Sequence, residues 1–237
     1  MEFQRLELLI GEEKLNELKN KTVLVLGVGG VGGYVIEGLT RSAIGHLILI
    51  DYDKVDITNI NRQIIATHDT IGMNKVDCFK ERIKSINPNC LVDTYNIFYD
   101  ETKNDLIFSN TIDYIVDCCD SINSKVSIIK EANKRNIPII SCMGTGNKFQ
   151  PELLKFSKLK NTSYDPLAKK MRYLLKDDKE CLNTMVIYSS EIPIKVLEKI
   201  GSTSFVPSVA GLMLASYVVN DFIKGGKWWN ILKNMAF

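Results

Sequence analysis

Four polar groups lie close together in the first third of this 237-residue chain: Gly27-Val28-Gly29-Gly30-Val31-Gly32, Asp51-Tyr52-Asp53, Asn59-Ile60-Asn61-Arg62-Gln63 and Lys75. The glycines follow an apolar run, residues 22–26, that reads as a buried strand. They let the chain turn tightly and bring a phosphate up to the free amides that open the next helix. Asp51 ends a second apolar run, residues 46–50, about 20 residues past the glycines, where a carboxylate can accept hydrogen bonds from ribose hydroxyls. To this point a nicotinamide-dinucleotide enzyme fits equally well.

The cluster beyond Asp51 asks for different chemistry. A triphosphate attacked at its α-phosphorus develops negative charge that fixed donors and cations must hold. Asn59, Arg62 and Lys75 are of the right type, although each cation taken singly also reads as a solvated surface charge. Further on, the apolar stretch 112–116 runs into Asp117-Cys118-Cys119-Asp120. Asp120 is thereby expected just past the carboxyl end of a strand, beside the crevice where doubly wound sheets bind ligands. A carboxylate there can hold Mg²⁺ on the phosphates of ATP. The expected catalytic set is Arg62, Lys75 and Asp120, with Asp120 as the metal ligand.

These motifs, with Gly72-x-x-Lys75 and Asp117-x-x-Asp120, resemble those of the enzymes related to ubiquitin-activating proteins and to the bacterial ThiF/MoeB adenylyltransferases for sulfur carriers. Later segments, among them 144–148 (GTGNK), 165–172 (DPLAKKMR), 188–191 (YSSE) and 205–211 (FVPSVAG), resemble the tRNA threonylcarbamoyladenosine dehydratase branch. The resemblance implies an ATP- and Mg²⁺-dependent cyclisation of threonylcarbamoyladenosine in tRNA through an acyl-adenylate. It implies a nucleotide site of Gly27, Gly29, Gly30, Gly32, Asp51, Asp53, Asn59, Arg62, Gln63, Lys75 and Asp120. It also implies a homodimer in which Arg5, the sole arginine before the first strand, reaches the partner subunit's site, and it leaves a sulfur-relay protein partner open.

The rival within the family is adenylation of the carboxyl terminus of a sulfur-carrier or ubiquitin-like protein. Against it stands the cysteine pattern. Cys78, Cys90, Cys118, Cys119, Cys142 and Cys181 include no Cys-x-x-Cys pair, so the four-thiolate zinc site usual in sulfur-carrier adenylyltransferases cannot be assembled. Cys181 is the one candidate transfer thiol; it reads as an incidental loop cysteine, although Lys179 beside it could lower its pKa. Some dehydratase relatives carry a cysteine where this chain has Val186.

Composition agrees with a cytoplasmic enzyme. Hydrophobic residues make up 45% of the chain, enough for a substantial core, and the net charge of +2 is too small to indicate nucleic-acid binding by itself. No basic leader with an apolar core opens the sequence, and six cysteines without scaffold spacing suggest reduced thiols. The stretch 205–219 is interrupted by Pro207 and Gly211 and reads as a buried helix capped by Ser208 rather than a membrane span.

The elements needed to position these groups follow from periodicity. Strands are expected at 22–26, 46–50, 91–96, 112–117, 137–142, 153–159 and 184–188. Helices are expected at 11–19, 30–42, 72–86, 121–135 and 165–176. In 72–86, Val76, Phe79, Ile83 and Ile86 recur at helical spacing. Strand–helix alternation predicts a doubly wound, Rossmann-like α/β fold, mostly parallel and extended by antiparallel strands. We expect one adenylation domain over 1–237, with an ATP-binding half (1–150) and an acceptor-substrate half (151–237). Asp165 before Pro166 is a good helix start. The basic residues that follow, Lys169, Lys170, Arg172 and Lys176, read either as a solvated helix face or as phosphate contacts for tRNA. His46 reads as structural, and His68 lies in a polar turn.

Overall fold

The computed structural model describes residues 2–195, 199–228 and 230–231. Among these residues seven strands form one sheet: β1 (Thr22–Leu26), β2 (His46–Ile50), β3 (Leu91–Tyr95), β4 (Tyr114–Asp117), β5 (Ile139–Cys142), β6 (Leu154–Lys158) and β7 (Met185–Ser189). Their order is β3-β2-β1-β4-β5-β7-β6. β1 pairs in parallel with both β2 and β4, so the chain reverses its winding between β1 and β4 and opens a crevice at their carboxyl ends.

The helices are α1 (Gln4–Ile10), α2 (Glu12–Lys19), α3 (Gly32–Arg41), α4 (Lys75–Ile86), α5 (Asn104–Ile107), α6 (Ile122–Lys134), α7 (Pro166–Leu174), α8 (Lys179–Leu182) and α9 (Phe205–Ile223). They divide the core into two layers. One sheet face packs against α3, α4 and α9 through Val35, Leu39, Phe79, Ala210 and Leu214, and the other packs against α6 and α7 through Ile128, Ile129, Ala168 and Met171. Strands β1 and β2 are apolar along most of their length because both faces are covered. α9 lies close on α3 because Gly211 has no side chain; a Cβ there would overlap the carbonyl oxygen of Val31.

Three expectations change. β7 joins β5 in parallel, so among the described strands only β6, at one edge of the sheet, runs antiparallel. The antiparallel extension is therefore one strand rather than two. Residues 4–10 form a helix of their own that buries none of its residues, which is why no core-facing periodicity marked it. Ser208 does not cap α9: the helix begins at Phe205 after Ser204, and the Ser208 hydroxyl donates to the Phe205 carbonyl at 3.0 Å, one turn inside.

Candidate active site

β1 ends in a tight turn that requires glycine. Gly27 has φ 83°, and a Cβ on it would stand 2.7 Å from the backbone of Cys119. A Cβ on Gly32 would overlap the Gly27 carbonyl oxygen. Gly29 and Gly30 differ: a Cβ on either meets nothing nearer than 3.4 Å. Both border a cavity of about 290 Å³ at the carboxyl ends of β1, β2 and β4. The protein's own packing therefore does not require glycine at these two positions, whereas a ligand lying on the turn would.

This contrast makes a direct prediction. Gly27→Ala should destabilise the fold by roughly 1–3 kcal/mol or more, from backbone strain and overlap. Gly29→Ala should melt within a few degrees of the wild type yet bind ATP at least about tenfold more weakly. Calorimetric melting and ATP titration of both variants check it; equal ATP affinity in Gly29→Ala would contradict the ligand reading.

The polar groups converge on the same cavity. Asp51, at the end of β2, accepts hydrogen bonds from the Val28 amide at 2.7 Å and the Asp53 amide at 2.8 Å, tying the second motif to the glycine turn. Burial raises its pKa above the ordinary carboxylate range, against the opposing pull of those amides and of Lys75. Lys75 opens α4, and Asn74 before it bridges to Lys54. Lys75 is only 4% exposed, and its ammonium meets the Asp53 carboxylate at 2.7 Å. Asp53 thus holds the lysine rather than facing the ligand alone.

The short helical turn 57–59 positions the third motif. Its capping box places the Asp56 carboxylate on the Thr58 amide and the Asn59 carboxamide oxygen on the Asp56 amide at 3.1 Å. Arg62 follows one turn on, braced by the Thr58 carbonyl at 2.7 Å and the Asn61 side chain at 3.0 Å. It forms no ion pair among the described residues. Gln63 is buried beneath Gly29, with its side-chain oxygen lacking any partner among the described residues.

Asp120, exposed after β4, also lines the cavity. Beneath it is a buried network that the sequence did not disclose. The Asp117 carboxylate takes the Lys125 ammonium at 2.8 Å and the Ser141 hydroxyl at 2.5 Å, and its other oxygen receives the Cys119 amide. Burial is the largest influence on Lys125 and pushes its pKa down, but Asp117 and neighbouring groups outweigh it, so the pKa lies above the ordinary lysine value. The turn carrying Asp120 is therefore anchored from below.

Other cavity residues escaped the sequence reading: Tyr52 and Phe98, edge-to-face at 5.2 Å, and Thr145, Ser202 and Pro207 from the second half. Ser202 is held in place because its carbonyl accepts from Asn61, and Gly201 is tied to the Asn147 side chain at 2.6 Å. Arg5 is exposed on α1 and is not among the cavity-lining residues of its own chain. Cys181 is no loop thiol: it is fully buried in α8, and burial followed by hydrogen bonding to Asp178 pushes its pKa up to about 12. Lys179 supplies no lowering, and the thiol lacks thiolate character.

A family model described as the ThiF family matches residues 3–224. The chain belongs to the ThiF family. Within it, the chain is 42% identical to the tRNA threonylcarbamoyladenosine dehydratase of Bacillus subtilis, over 94% of its own length and 95% of that protein's. It is 36% identical to the Escherichia coli enzyme of the same name over 170 residues, covering 72% of this chain and 63% of the relative. The solved structure of the E. coli tRNA N6-threonylcarbamoyladenosine dehydratase, TcdA, in complex with ATP superposes with a TM-score of 0.89 at 31% identity, covering 94% of each chain. The seven-stranded, mostly parallel sheet with helices on both faces is the adenylation fold of that ThiF-family structure.

Proposed function

We propose that this protein is an ATP-dependent enzyme that cyclises threonylcarbamoyladenosine in tRNA, with loss of one water, through an acyl-adenylate. The observation that carries the reading is the convergence of the glycine turn, Asp51, Asn59, Arg62, Gln63, Lys75 and Asp120 on one cavity. Similarity to the dehydratases over nearly the whole chain supports it over the carrier-protein adenylyltransferase alternative. We read 1–237 as a single adenylation domain, because the sheet continues across residue 150 through the β5–β7 pairing; the substrate, a nucleoside in tRNA, places its action in the cytoplasm.

The residues suit the nucleotide. Gly29 and Gly30 would receive the phosphates of ATP, Asp51 would accept from the ribose hydroxyls, and Asn59, Arg62, Gln63 and Lys75 would supply donors and positive charge to the phosphates. No cluster of three or more metal-ligating side chains exists among the described residues. That suits Mg²⁺, which takes one or two carboxylates together with phosphate oxygens and water rather than an all-protein cage. Asp120 would hold it, and the ion would supply charge neutralisation on the phosphates.

In the first step the carboxylate oxygen of the threonylcarbamoyl group bonds to the α-phosphorus, and the bond to the β-phosphate oxygen breaks, releasing pyrophosphate. Arg62 and Lys75 hold the charge gathering on the phosphoryl oxygens. In the second step an atom of the substrate's own urea group attacks the activated carbonyl, loses its proton and closes a five-membered ring. AMP leaves with the former carboxylate oxygen, so the modified nucleoside loses one water. Both reacting groups belong to one molecule, which makes this step effectively unimolecular. No transfer thiol is required, in keeping with the buried Cys181. Arg5 belongs to this proposal only through a homodimer, in which it would complete the partner subunit's site; a sulfur-relay partner has no residue here that favours it.

The test is mass spectrometry of nucleosides from modified tRNA incubated with the purified protein and ATP. A mass lower by one water, with stoichiometric AMP, is expected. Unchanged nucleoside together with pyrophosphate exchange stimulated by a Gly-Gly-ended carrier protein would replace this reading with the alternative.

A further inference from the structure

From beyond β5 the cavity takes Thr145, Ser202 and Pro207. They stand at the end given to the phosphates, because a Cβ on Gly30 would lie 3.4 Å from Arg62 and 3.5 Å from Pro207. The nucleotide itself engages the glycine turn, Asp51, Asn59 to Gln63, Lys75 and Asp120, and leaves this wall without a role.

The wall presents uncharged donors. The Ser202 hydroxyl donates weakly to the Thr203 carbonyl at 3.4 Å, long for an O–H donor. The Thr145 hydroxyl and the amides of Gly144, Thr145 and Gly146 are not hydrogen-bonded among the described residues. A carboxylate with a carbamoyl group beside it offers acceptors to such a wall. Neutral donors orient the carboxylate and leave it free to attack phosphorus, whereas a bidentate cation would hold it more tightly and quench its charge.

Two asparagines fix the backbone here. Asn147 has φ 56°, a left-handed conformation that asparagine tolerates. Its amide donates to the Gly201 carbonyl at 2.8 Å, and its side-chain oxygen accepts from the Gly201 amide at 2.6 Å. A Cβ on Gly146 would overlap Ile200, so the two segments are in close contact. On the other side Asn61 donates to the Ser202 carbonyl at 3.0 Å and, through its own oxygen, accepts from Arg62 at 3.0 Å. Lys148, 1% exposed, anchors the turn from below by bonding the Gly144 carbonyl at 2.6 Å and Asp165, the residue that caps α7, at 2.8 Å. Hydrogen bonds thus link the Thr145 turn, Ser202 and Arg62.

We infer that Thr145 and Ser202 bind the carboxylate to be adenylated and the carbamoyl group beside it, and that Asn61 and Asn147 are positioning residues that set this wall against Arg62. This rests on the reading of the substrate as a threonylcarbamoyl nucleoside in tRNA. An unmodified adenosine lacks the group that the wall holds. The wall therefore selects modified over unmodified tRNA.

The test measures binding of both tRNAs in the presence of a non-hydrolysable ATP analogue. The wild type should prefer modified tRNA by at least about tenfold, and Thr145→Val/Ser202→Ala should erase that preference. Affinity for unmodified tRNA, ATP affinity and melting temperature should stay at wild-type values. Asn147→Gly keeps both hydroxyls and permits the same φ, yet should slow single-turnover AMP formation at least about tenfold; Asn147→Asp, which keeps the accepting oxygen, should restore it. If the double variant retains wild-type preference and turnover while the wild type removes water from modified tRNA, the wall is wrong and the reaction stands. If the wild type neither prefers nor converts modified tRNA, the reaction assignment fails, and pyrophosphate exchange stimulated by a Gly-Gly-ended carrier then judges the wall. A drop of about tenfold in the double variant would uphold it as the site of the attacking carboxylate, and unchanged exchange would overturn it.

Discussion

Asp120→Ala is expected to cut ATP-dependent cyclisation by at least about 10²–10³-fold, the usual size of losing a group that manages charge at a reacting centre. The side chain is exposed at the cavity rim and makes no hydrogen bond or ion pair among the described residues that the fold would miss. Melting should therefore move by no more than about 0.5 kcal/mol in equivalent stability. Single-turnover formation of AMP and of the cyclic nucleoside separates the two steps. Both should fail together, because the carboxyl group must be activated before the ring can close. Turnover at the wild-type rate would remove Asp120 from the chemistry, whatever its position.

The second large effect is on stability. Lys125→Met should cost about 3–5 kcal/mol, since it leaves the Asp117 carboxylate buried without its cation. Asp117→Leu combined with Lys125→Met should recover part of that loss, because an apolar pair avoids the stranded charge. Urea unfolding of the three variants measures this, and a single-mutant loss below about 1 kcal/mol would contradict the anchoring role. The combined variant should nonetheless remain a poor enzyme. Asp117 also receives the Cys119 amide, one residue before Asp120, so the turn would lose its fixed position even in a refolded core.

Much of the site was legible because nucleotide chemistry is local in sequence. The glycine turn and Asp51 are short motifs at the ends of strands, Asn59–Gln63 is a short motif on and just after the helical turn 57–59, and the strand runs 22–26 and 46–50 match β1 and β2 residue for residue. The supports beneath them were not legible. Lys125 and Asp117 are eight residues apart, Lys148 and Asp165 seventeen, and no helical or strand period links either pair. A sequence displays a charge but not its burial, and nothing in it marks Lys148 and Lys125 as enclosed. Cys181 was misplaced for the same reason: four residues are too few to show a helix by periodicity, and its burial comes from α6 and the neighbouring core. The place of β7 inside β6 also depends on the return path of the chain, which composition does not encode.

β6 is the strand at one edge of the sheet, and among the described residues no strand pairs with its outer side. Such a row of free amides and carbonyls invites another chain to add a strand and start a fibril. Lys155 and Lys158 stand on that strand, and charged side chains at a rim repel a second identical rim. The positive character of this flank thus has a solubility role independent of any ligand. Bleaching it with apolar residues would trade a monodisperse sample for precipitate.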